Sequence, residues 1–252
     1  MSKKLIAIGG GENGRILEDG TKTLYETAII DKEIVNLTNT LNPNFLFLAH
    51  AMYFSSSIQD SYFETMKKIY GNMYNCSCKH LKTSDLSNLD LVESLINWAD
   101  IIYIGGGDTK GMIKLWQETD FMNKLKEAYN KEKVICGISA GGVCFFNSCN
   151  SDINNNEFEI VEGLNWFDLF ITPHANEKGR YETTKLQLLQ NKKVGLMLSN
   201  LSAIEIIDNE YKILVANPLS YAIKCYYKNN KFHEEKLEIN KFKSLKELLN
   251  IK

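Results

Sequence analysis

Four short apolar runs, each emptying into glycine or a small polar residue, constrain this chain more than any other feature. Leu5–Ile8 runs into Gly9-Gly10-Gly11, and Phe45–Ala49 into His50. Ile101–Ile104 runs into Gly105-Gly106-Gly107, and Val134–Ile138 into Ser139-Ala140-Gly141-Gly142. Uninterrupted apolar runs of this length read as strands buried on both faces, the pattern of a parallel sheet. Segments of helical periodicity lie between them, at 25–38, 59–70, 86–98, 110–116 and 120–130. In 25–38 the apolar face is Ala28, Ile29, Ile34, Val35 and Leu37. A third strand is expected near 73–81. Beyond the fourth run, 147–159 is rich in Asn and Ser and reads as an exposed polar stretch, followed by a strand at 167–172 and a helix at 180–190. From Val194 the texture changes to short strands separated by turn residues, at 194–198, 203–207, 211–215, 221–227 and 231–237. The expected architecture is α/β: one domain over 1–252, a mostly parallel sheet flanked by helices, with antiparallel hairpins in a β-rich C-terminal part. In such sheets ligands bind beyond the carboxyl ends of the strands. The loops at Gly9, Gly105, Ser139 and His174 should therefore converge.

Composition removes several functional classes. A net charge of −2 supplies no basic field for nucleic acid. Leu5–Ile8 is too short for a leader, and no other apolar run approaches the roughly 20 residues a membrane helix needs. Cys136 and Cys144 sit in apolar runs, while Cys76 and Cys78 lack a partner pair at zinc-site spacing. No metal or cofactor is expected, and the chain reads as a reduced, cytoplasmic protein; self-association is left open. Arginine is scarce, since of the 29 basic residues only Arg15 and Arg180 are arginines.

The chemistry centres on Gly137-Ile138-Ser139-Ala140-Gly141. Strand, Gly-x-Ser-x-Gly and helix in succession form a nucleophile elbow, a tight turn that lifts a hydroxyl out of the sheet. A serine needs a base to act as a nucleophile near neutral pH. Among the four histidines, His174 closes the strand after the elbow, and one helix, one loop and one adjacent strand fit between it and Ser139. The N–H of Ala140 and the Gly105–Gly107 loop can supply donors for an oxyanion. A rival order, Ser139, Asp208, His233, matches an α/β-hydrolase, but His233 lies in an exposed-looking hairpin. The Gly9–Gly14 loop lacks the directly following helix of a dinucleotide site.

Ile104-Gly105-Gly106-Gly107-Asp108-Thr109, Gly137-Ile138-Ser139-Ala140-Gly141-Gly142 and Pro173-His174-Ala175-Asn176 together resemble the aspartyl dipeptidase (peptidase E) and cyanophycinase family of serine peptidases. Its fold is similar to that of class I glutamine amidotransferases. The resemblance implies Ser139 as nucleophile, His174 as base, and the N–H groups of Gly107 and Ala140 as the oxyanion hole. It implies a small peptide substrate, acidic or a related amide, and no cofactor. Asp108 stands where the family commonly has Asn, and is taken with Arg180 as a candidate substrate-binding residue. Arginine's fork suits a carboxylate. The family's acid on the strand after the histidine aligns with Ser199, beside Asn200, and neither is charged. Glu205, six residues on and of the same strand parity, is the candidate acid, with Asp152, Glu157 and Glu159 behind it. A relative of weak or no activity that binds a small ligand is the alternative expectation.

Overall fold

The computed structural model describes residues 2–15, 19–154 and 157–251. Its central sheet is built on the four runs, β1 (Lys4–Ile8), β2 (Asn44–Leu48), β4 (Ile101–Ile104) and β5 (Val134–Ile138), with the shorter, half-exposed β3 (Ser77–His80) beside β2. Alternate residues face opposite sides. Leu5, Ala7, Leu46, Leu48, Ile102, Ile104 and Ile135 enter one apolar cluster, while Ile6, Ile8, Phe45, Phe47, Tyr103 and Cys136 enter a second. Period-2 burial on both faces is what the uninterrupted apolar runs encode. Helices α1 (Ala28–Asn36) and α2 (Ser56–Lys67) cover the second cluster through Ile30, Ile34 and Met66. Helices α3 (Leu89–Trp98), α4 (Thr109–Glu118) and α5 (Phe121–Asn130) contribute Val92, Ile96, Met112, Trp116 and Leu125 to the first.

The remaining strands correct the one-sheet expectation. After the elbow come α6 (Ala140–Val143), β6 (Phe146–Asn154), β7 (Glu157–Glu162), β8 (Phe167–Thr172), α7 (Arg180–Asn191) and β9 (Gly195–Leu198). Then follow β10 (Ser202–Ile207), β11 (Glu210–Val215), β12 (Ala222–Lys228), β13 (Lys231–Lys236), β14 (Lys243–Ser244) and α8 (Leu245–Leu249). They form two sheets, ordered β14-β11-β10-β1-β5-β4-β2-β3 and β13-β12-β9-β8-β6-β7. β5 has β1 on one edge and β4 on the other, so no later strand can pair beside it. The chain instead starts a second layer whose Cys149, Phe167, Ile171, Leu196 and Leu198 share the first apolar cluster. The C-terminal strands divide between the layers: β10, β11 and β14 extend the first, and β9, β12 and β13 belong to the second.

The segment 147–159, expected to be an exposed polar stretch, carries most of the β6–β7 hairpin. Its polarity misleads because Ser148 and Asn150 are buried. Asn150 Nδ2 donates to the Thr184 hydroxyl at 3.2 Å, and the Asn150 carbonyl accepts from Arg180 at 3.0 Å. These bonds pair the Asn150 carbonyl and Nδ2, which lowers the cost of burying a polar strand.

His50 is a core residue. Its Nδ1 accepts from Trp116 Nε1 at 2.9 Å and its Nε2 donates to the Leu81 carbonyl at 2.9 Å. Burial pushes its pKa down to about 3, below the roughly 6.5 of an unfolded histidine. The unfolded chain therefore takes the proton first, and this group's contribution falls as pH drops from about 6.5 toward 3, at up to about 1.4 kcal/mol per pH unit. The stability advantage of wild type over His50→Gln should shrink by about 2 kcal/mol between pH 7 and pH 5 in urea titrations. A constant difference would contradict this reading. Comparing the two proteins cancels the buried carboxylates Asp31 and Glu205, whose pKa values burial raises and whose linkage has the opposite sign.

Candidate active site

Ser139 leaves β5 at φ 52° and ψ −122°, a left-handed backbone that costs a non-glycine residue about 1–3 kcal/mol. Hydrogen bonds over-determine the turn. The Ser139 N–H donates to the Ile8 carbonyl at 2.9 Å, and its own carbonyl accepts from Gly142 at 2.8 Å and Val143 at 2.9 Å. Close approach explains one glycine in particular: a Cβ on Gly141 would lie 2.1 Å from the Ile104 carbonyl oxygen. The N–H groups of Ala140 and Gly107 have no hydrogen-bond partner among the described residues. The Gly106–Gly107 loop abuts the serine, and a Cβ on Gly106 would lie 3.7 Å from Ser139 Oγ.

His174 comes from the other sheet, two residues past β8, rather than from a strand adjacent to β5. It too has a left-handed backbone, at φ 50°, and its N–H donates to the Gly9 carbonyl at 3.0 Å. Its Nε2 is 2.8 Å from Ser139 Oγ. On the far side of the ring, Nδ1 is 2.6 Å from Asn200 Oδ1 and 3.3 Å from Glu177 Oε1. Gly10 lies flat against this assembly, where a Cβ would come within 2.3 Å of the imidazole and 2.2 Å of Asn200 Oδ1. Gly10 thus makes room for the histidine.

The dyad sits in a cleft of about 920 Å³, lined also by Arg15, Glu12, Glu26, Tyr62 and Tyr221. Arg15 meets Glu12 with two hydrogen bonds of 2.9 Å.

Most other expected site residues lie elsewhere. Glu205 is not at His174: it is buried in β10 with Oε2 3.0 Å from Lys212 Nζ, which also meets Glu33 at 2.9 Å. The parity count from Ser199 does not carry across Leu201, whose φ of 61° turns the chain from one sheet into the other. Ser199 lines the cleft, but its hydroxyl accepts from the Tyr221 N–H at 2.8 Å and donates to the Asn200 carbonyl at 3.1 Å, not to the His174 ring. Arg180 is buried, donating to Asp152 at 2.9 Å and stacked over Phe158 at 4.6 Å, so its fork holds the β6–β7 hairpin and not a ligand. Asp108 caps α4, accepting from Gly111 N–H at 3.0 Å, and takes a 3.0 Å bond from the Tyr53 hydroxyl. Among the fallback acids, Asp152 pairs with Arg180, Glu159 pairs with Lys110 at 2.8 Å, and Glu157 is exposed. Glu177 is not singled out by the motifs, although its place three residues after His174 is the spacing at which a tight turn returns a side chain to the ring. The Glu177 N–H closes that turn on the His174 carbonyl at 2.8 Å.

The architecture is shared with solved structures of other α/β proteins. A crystal structure of a peptidase from an acI-B1 Actinobacterium superposes with a TM-score of 0.73 at 18% identity over 97% of both chains. A putative peptidase E from Listeria monocytogenes EGD-e does so with a TM-score of 0.56 at 16% identity, over 94% of this chain and 100% of that one. The chain belongs to peptidase family S51, whose family model matches residues 19–214. The uncharacterized peptidase YgaJ of Bacillus subtilis (strain 168) is 28% identical over 190 residues, 75% of this chain and 76% of the relative. The resemblance of the motifs to peptidase E thus holds at the level of the family. No helix among the described residues is long and apolar enough to cross a membrane.

Proposed function

We propose that this peptidase cleaves short peptides or related amides by serine nucleophilic catalysis. The observation that carries the reading is the 2.8 Å contact between Ser139 Oγ and His174 Nε2, made at a turn that presents the hydroxyl to the cleft. In this mechanism His174 takes the Ser139 proton as Oγ attacks the carbonyl carbon. The oxyanion forms toward the N–H groups of Ala140 and Gly107, and the imidazolium then hands its proton to the leaving amine. Water, deprotonated by the same imidazole, releases the acyl group from Ser139. Preference for an acidic side chain rests on the family resemblance and on Arg15, which an incoming carboxylate would take over from Glu12.

A fluorophosphonate probe tests the nucleophile directly. Peptide mapping should find the adduct on Ser139, and Ser139→Ala should abolish it. Labelling that persists in Ser139→Ala would sink the assignment. An enzyme that takes up no probe and hydrolyses no acidic dipeptide would fit the ligand-binding alternative instead.

A further inference from the structure

The geometry points to Glu177 as a positioning residue that sets the tautomer of His174 through the side-chain amide of Asn200. This inference rests on Ser139 and His174 acting as the catalytic pair. If Nε2 is to accept the Ser139 proton, Nδ1 must carry the ring hydrogen and donate it to an acceptor. The nearest acceptor is Asn200 Oδ1 at 2.6 Å. An amide can face the ring with either end, and with Nδ2 inward it would offer a donor to Nδ1 and favour the unproductive tautomer. Asn200 alone does not decide between these. Glu177 does: its Oε1 accepts from Asn200 Nδ2 at 3.0 Å, and rotating the amide would bring Asn200 Oδ1 against the carboxylate. The charge on Glu177 thus holds Nδ2 outward, Oδ1 inward, the proton on Nδ1 and the lone pair of Nε2 toward Ser139.

The surroundings fix each member of this relay. The Asn200 N–H donates to Asn176 Oδ1 at 2.7 Å, and the Glu177 backbone closes the His174 turn. Bonds from the His174 ring first, and then from the Asn200 amide, hold the Glu177 carboxyl down to about 2, so it is ionised wherever the enzyme would work. Glu177 also offers charge directly, with Oε1 3.3 Å from Nδ1, where the imidazolium gains its positive charge. The arrangement divides the task of a triad acid. Asn200 touches the ring, and Glu177, one step behind, carries the charge. A side chain 52% exposed supports a positive charge less than a buried acid does. Its removal should therefore cost less than the roughly 10⁴ seen when a buried triad aspartate is made neutral.

Glu177→Gln keeps the shape and removes the charge. It should lower kcat about 10- to 100-fold with KM within about two-fold of wild type. Nitrogen NMR of the imidazole in the substrate-free protein should show a proton on Nδ1 in wild type and a mixture of tautomers in Glu177→Gln. Adding Asn200→Asp to Glu177→Gln puts a carboxylate directly on Nδ1 and should recover at least about ten-fold in kcat. A purely structural Glu177 would give no such rescue. An unchanged tautomer in Glu177→Gln overturns the proposal, whatever happens to the rate, and so does a double variant no faster than the single one. The NMR measurement needs no turnover. A protein that fails the Ser139 labelling test therefore still shows by its imidazole spectrum whether Glu177 sets the tautomer, and the two failures are separable.

Discussion

Ser139→Ala, His174→Ala and the double variant are expected to fall to the same residual rate. In the proposed mechanism nucleophile and base act as one unit, so removing either leaves nothing for the other to do, and single losses near 10⁵–10⁶ in kcat should not multiply. The residue of activity, roughly 10³–10⁴ above water, would come from binding and from the N–H groups of Ala140 and Gly107, which both substitutions leave in place. KM should change little, because Ser139 and His174 contribute to the transition state and not to holding the substrate. Steady-state rates on an acidic dipeptide, with folding checked by circular dichroism, give the comparison. Losses that multiply in the double variant would mean that the 2.8 Å contact does not serve a shared step.

Gly141→Ala should destabilise the protein by about 3 kcal/mol, the upper end of overpacking, and lower Tm by about 10 °C. The new methyl would meet the Ile104 carbonyl oxygen at 2.1 Å, its carbon at 2.5 Å and the Gly105 oxygen at 2.7 Å. All three are backbone atoms of the β4 end and the loop after it, so relief requires moving a strand. Gly71→Ala is the control. Its methyl would meet nothing closer than Cys78 Sγ at 3.5 Å, an ordinary contact, and should cost no more than about 0.5 kcal/mol. Equal melting temperatures for the two variants would show that the elbow yields more easily than its contacts imply.

The sequence is most readable where information is local. Val134–Ile138 and Ile101–Ile104 are apolar throughout because both sheet faces are buried, which makes them legible as strands. Ser139 and His174 are legible for a related reason: a strained turn and a strand end each demand particular residues within a few positions. Legibility stops where a partner comes from far along the chain. Polar β6 looks like a loop because Arg180 and Thr184, which meet the Asn150 carbonyl and side-chain Nδ2, lie some thirty residues downstream. Arg180 draws attention by its rarity, yet composition does not say which way a side chain faces. Glu205 is reached by counting parity along what is in fact a crossing between sheets. Glu177 is within reach of sequence reasoning, but only by asking which side chains a turn after His174 folds back, and not which strand follows.

Ser139 rides on one layer of the protein, while His174 and Asn200 ride on the other. Any shift of one layer against the other along the line from oxygen to nitrogen therefore changes the gap between them. A proton crosses 2.8 Å readily, and a misplacement of about 1 Å can cost a hundred-fold in rate. Phe146, Phe167 and Leu198 belong to the apolar cluster that the two layers share, so the packing there bears on how the layers are spaced. Trimming one of them would detune the enzyme while leaving every reactive group in place, so alignment tolerance, more than the identity of the site residues, limits how freely this core can change.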